Sequence, residues 1–208
     1  MDRDSIVVYS DYVCPFCYLG RQSLEQYQQR RDRRLSVEWH PFDLRSDRRG
    51  PDGELDLAAE DGKSDAYYEQ ARENVRRLQE RYDVEMTTEM AHDVDSFPAQ
   101  VASHYVQRTD PDRWPDFDDL VFDALWVDGR DVGDRSVVGE LAEEAGLDPA
   151  EIRAVVDDDE QRERVFEQFE AARRAGVTGV PTFVYDGRAA RGAVPPEHFR
   201  RLVDGATE

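Results

Sequence analysis

Lysine is all but missing from this chain. Lys63 is the only one among 208 residues, so the other 26 of the 27 basic side chains are arginine, against 47 Asp and Glu. A formal charge of −20 and a pI near 4.5 exclude nucleic-acid backbones and anionic lipid surfaces as expected partners, because both would be repelled. An acid-rich surface with almost no lysine fits multimolar salt, where the Debye length shrinks to about 3 Å and like charges cease to see one another. A salt-adapted protein is therefore expected.

Long apolar runs are missing as well, and with them any stretch of the ~20 residues that a membrane span needs. The opening Met1-Asp2-Arg3-Asp4-Ser5 runs directly into Ile6-Val7-Val8, with neither the apolar region nor the small-residue cleavage site of a signal peptide. The expected compartment is the cytoplasm. Cysteine is scarce, and two residues cannot build a disulfide scaffold. In a reducing cytosol, two cysteines three positions apart are more often catalytic or metal-binding than structural. Glycine (13) and proline (10) stay within ordinary usage, which removes collagenous and low-complexity readings.

The patterning that is present begins with Ile6 to Tyr9, a β-branched run that reads as a buried strand. Helix formers extend from Cys14-Pro15 to about Arg31, and Leu35 to Phe42 alternates as a half-buried strand should. From Asp43 to Gly62 the composition turns to Arg, Asp, Gly and Pro with little periodicity, marking a connection. Only helical patterns follow. Ala71, Val75, Leu78 and Tyr82 make one stripe; Asp95 or Ser96 caps another; Pro115, Asp134 and Asp148-Pro149-Ala150-Glu151 open three more. Val165, Phe169 and Ala172 stripe a last one, which ends at Gly176. Period two returns at Thr182 to Tyr185, the pair Asp186-Gly187 turns a hairpin, and Pro195 to Val203 reads as a closing helix. The expected fold is α/β, with residues 1–60 and 177–208 forming one sheet-bearing core and an all-helical insertion at 61–176, because the terminal hairpin is too small to be stable alone.

Cys14-Pro15-Phe16-Cys17 falls where the first strand hands over to the first helix. Unpaired amides and the helix dipole stabilise a thiolate there, lowering the pKa of Cys14 below the free value of about 8.5. Cys17 lies one turn on, within bonding reach, so a disulfide can open and close in place. A zinc half-site would need further ligands, but His40, His92, His104 and His198 are scattered singly with no second C-x-x-C, so no metal is expected. Near the C-terminus, Val180-Pro181 stands at the mouth of a strand, where proline is poorly placed unless its bond is cis. That geometry would leave the Val180 backbone beside the dithiol, open to a substrate chain adding as a strand. Asp11, three before Cys14, reads either as a proton relay or, more commonly, as a carboxylate on free helix amides. Trp39, Trp114 and Phe117 read as packing, and Asp157-Asp158-Asp159-Glu160 as solvated surface.

These pieces resemble a known family. Ser10-Asp11 before Cys14-Pro15-Phe16-Cys17-Tyr18-Leu19-Gly20, Glu38-Trp39-His40-Pro41-Phe42, the stretch Asp128 to Asp134 followed by Leu141 to Leu147, and Gly176 to Gly187 occur in the order of the DsbA-like thioredoxin-fold superfamily. The resemblance is to the branch with FrnE-type oxidoreductases and 2-hydroxychromene-2-carboxylate isomerases. It implies a thioredoxin core with a helical insertion and a cis proline facing the dithiol. Isomerases of that branch replace the first cysteine with serine and use glutathione; both cysteines here favour dithiol chemistry. The resemblance therefore implies a thiol-disulfide oxidoreductase with Cys14 attacking, Cys17 resolving, and Pro15, Phe16, Val180 and Pro181 contacting the substrate. Expected partners are protein or small-molecule thiols and disulfides, and no cofactor is required. The alternatives are a glutathione-dependent isomerase or transferase of the same fold, with glutathione as co-substrate, and a redox-sensing module that binds a partner.

Overall fold

Ile6, Val7 and Val8 lie on a strand with neighbours on both sides, which is why the run is continuously apolar rather than alternating. The computed structural model describes residues 5–50, 53–56 and 58–205. Residues 1–4, on which the expectation of a cytoplasmic protein leans, lie outside that set. Strand β1 (Ser5–Ser10) runs parallel to β2 (Ser36–Pro41), placing Val8 opposite Trp39, and antiparallel to β3 (Thr182–Tyr185), placing Val8 opposite Phe183. A two-residue turn leads from β3 into β4 (Arg188–Arg191), with Asp186 and Gly187 at φ 47° and 73°, the backbone a tight hairpin requires. The sheet order is β2-β1-β3-β4.

Helix α1 (Pro15–Gln28) follows β1. Between β2 and β3 run α2 (Asp65–Tyr82), α3 (Phe97–Thr109), α4 (Trp114–Trp126), α5 (Arg135–Glu144), α6 (Pro149–Val156) and α7 (Asp159–Arg174); α8 (Pro196–Asp204) closes the chain. This α/β architecture interrupted by helices is the one expected. The acidic residues at the helix starts do specific work: Asp134, Asp148 and Asp158 accept from the amides of Ser136, Ala150 and Gln161 at 2.7, 2.8 and 3.0 Å. The run Asp157 to Glu160 is thus more than a solvated face, since Asp157 also pairs with Arg135 and Glu160 with Arg164.

Two apolar clusters hold the site in place. One packs Ile6, Val8, Phe183 and Ala190 of the sheet against Leu24 and Tyr27 of α1 and Phe199 and Leu202 of α8. The other joins Tyr12, Trp39, Trp114, Phe117, Phe122 and Trp126, so the turn before the dithiol is embedded in the insertion. A buried polar chain runs through the second cluster. Trp114 Nε1 donates to Ser103 Oγ at 2.8 Å, Ser103 and Tyr12 share a 2.7 Å hydrogen bond, Tyr12 Oη reaches Asp118 Oδ1 at 2.8 Å, and Arg21 Nε donates to Asp118 Oδ2 at 2.8 Å. One ordering of the protons satisfies every member, so the network locks α1, α3, α4 and the turn into one arrangement.

Candidate active site

Cys14 is the N-cap of α1, in extended conformation (φ −94°, ψ 112°), with Pro15 as first helical residue. The turn is set by Cys14 N donating to Asp11 O at 3.1 Å, and the helix by Cys17 N and Tyr18 N donating to Cys14 O at 2.9 and 3.3 Å. No side chain caps this end and no carboxylate sits in the first turn, so the helix dipole acts on the Cys14 sulfur unopposed from its own helix. Both cysteines are free thiols. Cys14 Sγ lies 3.7 Å from the carbonyl oxygen of Val180, to which its S–H donates. The Val180–Pro181 bond is cis, and the loop is tied by Gly192 N donating to Pro181 O at 2.8 Å and Thr182 Oγ1 donating to Gly179 O at 2.7 Å.

A groove of about 530 Å³ has Cys14, Pro15, Phe16 and Val180 on its wall. Cys17 and Pro181 are not on that wall. Cys17 borders a second cavity of about 680 Å³ behind the turn, with Arg21, Trp39, Trp114 and Phe122. The two sulfurs are thus inequivalent, although their residues are 4% and 2% exposed. Burial pushes the Cys17 thiol well up, and its hydrogen bond to Cys14 and the charge of that neighbour push it further.

The opposite side of the groove was not legible as a site. Phe42 comes from the end of the stretch read above as a strand and Arg45 and Arg48 from the segment read as a connection, while Lys63 just precedes α2 and Tyr67 and Tyr68 lie in its first turn. The one available signal was the lone lysine of an acidic chain, standing beside two nearby arginines. Arg45 spends its guanidinium on the carbonyls of Ala91 and Val94, whereas the Nε of Arg48 is buried without a partner among the described residues. His92 packs edge-on against Tyr68 with ring centroids 4.5 Å apart, and Lys63 Nζ stands 5.6 Å from the Tyr67 ring centroid. Among the described residues no group of three or more His, Cys, Asp and Glu is placed to hold a metal.

Asp11 is fully buried, and it bonds more widely than a helix-terminal carboxylate would. Its Oδ1 accepts from Val13 N, Ser96 Oγ and Gln100 Nε2 at 3.2, 2.5 and 3.2 Å, and its Oδ2 from Leu44 N at 2.9 Å. Burial, and then the Asp43 carboxylate, raise its pKa to about 6. Of the two caps expected, Asp95 takes the Phe97 amide at 3.1 Å, while Ser96 gives its hydroxyl to Asp11. Sequence spacing could not pair residues 11, 96 and 100.

A thiol at a helix start, a second thiol one turn behind it and a cis-proline loop against the first make a thioredoxin-type arrangement. The chain belongs to the DSBA-like thioredoxin domain family, whose model matches residues 5–204. It is similar to the uncharacterized protein YwbO of Bacillus subtilis, 28% identical over 206 residues that cover 95% of this chain and 94% of that one. In structure it resembles a probable DsbA oxidoreductase of Streptomyces coelicolor, with a TM-score of 0.79, 25% identity and coverage of 98% of this chain and 91% of the other. A 2-hydroxychromene-2-carboxylate isomerase shares the fold at a TM-score of 0.73 and 20% identity, over 97% and 99% of the two chains. Oxidoreductases and an isomerase thus stand on this same scaffold.

Proposed function

We propose that the protein is a thiol-disulfide oxidoreductase in which Cys14 is the attacking and Cys17 the resolving sulfur. The observation that carries this reading is the placement of Cys14 at the uncapped start of α1, on the wall of a groove and 3.7 Å from the Val180 carbonyl, with Cys17 behind it. The Cys14 thiolate attacks one sulfur of a substrate disulfide; that S–S bond breaks, a mixed disulfide forms at Cys14 and the other substrate sulfur leaves as a thiolate. Cys17 then gives up its proton and attacks Cys14, releasing the second substrate thiol and leaving an oxidised pair. A thiol co-reactant then reduces the pair again; run backwards the same steps oxidise a substrate dithiol, and a disulfide co-reactant re-oxidises the pair. No bound cofactor enters.

In this reading residues 1–60 and 177–208 carry the reacting groups, and 61–176 shares the far wall with the segment after β2. Phe16, Pro15, Val180 and Pro181 shape the docking edge. The substrates are thiols and disulfides of proteins or small molecules, met in the cytoplasm. No helix among the described residues is long and apolar enough to cross a membrane. The second reading, glutathione or a similar anionic thiol as co-substrate, is favoured by Arg48, whose Nε has no partner among the described residues, and by Lys63 in the groove, where it pairs with Asp61 at 3.8 Å. Insulin reduction and scrambled-disulfide refolding test the first reading: wild type accelerates at least one and Cys14→Ser accelerates neither. Inertness of wild type in both assays, with saturable glutathione binding, would move the second reading ahead.

A further inference from the structure

The disulfide chemistry assigned above uses the groove that holds Cys14. The cavity of about 680 Å³ behind the turn, which Cys17 borders, is left without a role. It lies where α1 and β2 meet the helical insertion. Its floor is apolar and buried, with Val8 and Phe183 from the sheet, Leu24 from α1, Trp39 from β2, and Trp114 and Phe122 from α4. Its rim is charged and partly or fully exposed, with Arg21 and Glu25 from α1, Arg34 beyond it, and Asp116, Asp119 and Asp123 from α4. A volume of that size holds a small organic molecule.

The polar groups of the floor are already engaged. Trp39 Nε1 donates to Ser10 Oγ at 2.7 Å and Trp114 Nε1 to Ser103 Oγ at 2.8 Å. Gln107, also on the wall, closes its amide on the Trp39 backbone, the nitrogen donating to the carbonyl at 3.0 Å and the oxygen accepting from the amide at 2.9 Å. Gln28 Oε1 accepts from Leu35 N at 2.8 Å. The floor therefore meets a guest with ring faces and aliphatic surface. An apolar body fits it, whereas one rich in hydrogen-bonding groups would lose its water without regaining partners.

The rim decides the sign of the charge. Arg21 is paired with Asp118 and Asp119, and Arg34 with Glu25. Asp116 and Asp123 have no cation partner among the described residues; Asp123 accepts from Tyr18 Oη at 2.9 Å. The start of α4 offers an anion little, because Trp114 N donates to Asp110 O and Phe117 N to Arg113 O, each at 3.1 Å, and Pro115 has no N–H. The chain itself seats a cation in this setting: the Arg21 guanidinium, held by Asp118, stands 5.9 Å from the centroid of the Phe122 ring.

We propose that this cavity is a binding site for a small organic cation, an ammonium or an alkylated ring nitrogen carried on a flat apolar body. The body packs on Leu24, Trp39 and Trp114, and the charge stays at the mouth beside Asp116 and Asp123. The site is separate from the Cys14 groove, so its occupant and a disulfide substrate approach the dithiol from opposite sides.

The three tryptophans give the test an internal control, because Trp39 and Trp114 lie on the wall and Trp126 does not, its Nε1 donating to Tyr12 O at 2.7 Å. Protein with nitrogen-15 in its indoles is titrated by NMR in molar potassium chloride, where only charges near contact are felt. The probes are N-methylquinolinium, neutral quinoline and the anion quinoline-6-carboxylate, all at neutral pH. The cation should shift the Trp39 and Trp114 signals saturably, leave Trp126 in place and bind about fivefold tighter than quinoline, with the carboxylate weakest. Asp116→Asn combined with Asp123→Asn should abolish that preference and leave quinoline binding unchanged. Equal affinity for cation and neutral probe, tighter binding of the anion, a preference unmoved by the double variant, or absence of shifts at Trp39 and Trp114 overturns the proposal. Loss of cation binding when Cys14 is alkylated with iodoacetamide would place the probe in the groove and overturn it as well. Should the double variant fail to fold, the three probes on wild type decide alone.

Discussion

The sulfur of Cys14 and the carbonyl oxygen of Val180 lie 3.7 Å apart on one wall of the groove, next to the cis linkage to Pro181. In the reduced protein the S–H donates to that carbonyl, which orients the thiol. A substrate backbone pairing with Val180 as an added strand would take the same acceptor. Docking would then release the sulfur from Val180 at the moment a disulfide reaches it.

Gly20 explains how closely α1 and the proline loop approach. A Cβ placed there would lie 3.1 Å from both Pro181 Cγ and Phe183 Cζ. Phe183 cannot retreat, because it is packed edge-on against Phe199 with centroids 4.8 Å apart. Overpacking costs about 1–3 kcal/mol and the gain in helix propensity returns at most about 1 kcal/mol. Gly20→Ala should therefore lose about 1 kcal/mol in urea unfolding, and disulfide reduction should fall further than that loss explains, since Pro181 is displaced. A variant as stable and as active as wild type would show that the loop gives way freely.

His104 predicts an acid sensitivity. Burial, then the charge of Arg108, lowers its pKa from 6.5 to about 4, so the folded chain keeps it neutral where the unfolded chain takes a proton. Stability from this group is complete above about pH 6.5 and is lost as the pH falls toward 4, a contribution of about 2 kcal/mol once partial solvent screening is allowed for. Asp11 acts with the opposite sign: its raised pKa means the folded chain gains a proton as the pH falls through about 6, which stabilises it. Urea midpoints of wild type and His104→Gln between about pH 4 and 7 separate the two. The variant should lose less stability on acidification, and parallel curves would refute the assignment.

Much of the fold could be read from local pattern, because strands, caps and turns are decided by neighbours in sequence. Val7 and Val8 declare a buried strand, Asp148 before Pro149 a helix start, and Asp186-Gly187 a hairpin. The dithiol is equally local, four residues at one strand-to-helix junction. The rest of the site is not. Arg48 reaches the groove from a segment without periodicity, and Ser96 and Gln100 meet Asp11 across more than eighty positions, so only the packing of α3 against the core brings them together. Local reading left Asp95 and Ser96 as alternative caps for a physical reason: which of the two serves the helix depends on a distant carboxylate, Asp11, that claims the serine.

Salt should decide whether the surface charge is tolerated. With 47 acidic residues against 27 basic ones, self-repulsion grows when the Debye length lengthens from about 3 Å in molar salt to about 10 Å at 0.1 M. The melting temperature should fall steadily over that range, and far-UV circular dichroism should show lost helix at the low end. Neutral sucrose, which screens nothing, should not substitute for salt at equal osmolality in restoring it. A melting temperature independent of salt would end the idea of a salt-adapted protein.

The inequivalence of the two sulfurs makes the sharpest prediction. Cys14 lies on the groove wall at the start of α1, whereas Cys17 is set behind it with its thiol pushed well up by burial and by its neighbour. Attack on a substrate disulfide should therefore begin at Cys14 and leave a mixed disulfide there, which only Cys17 or an added thiol can resolve. Removing Cys17 removes the internal exit. Cys17→Ser, exposed briefly to a disulfide substrate, should accumulate an adduct of protein plus one substrate half, and peptide mapping by mass spectrometry should place it on Cys14. Cys14→Ser should form little adduct, because the remaining sulfur has neither the position nor the ionisation to attack, and it should lose insulin reduction altogether. Both variants should keep the fold, since serine replaces a small buried group and no disulfide is lost. An adduct mapped to Cys17 in wild type, or reduction by Cys14→Ser near the wild-type rate, would reverse the roles and leave the dithiol as a sensor rather than a catalyst.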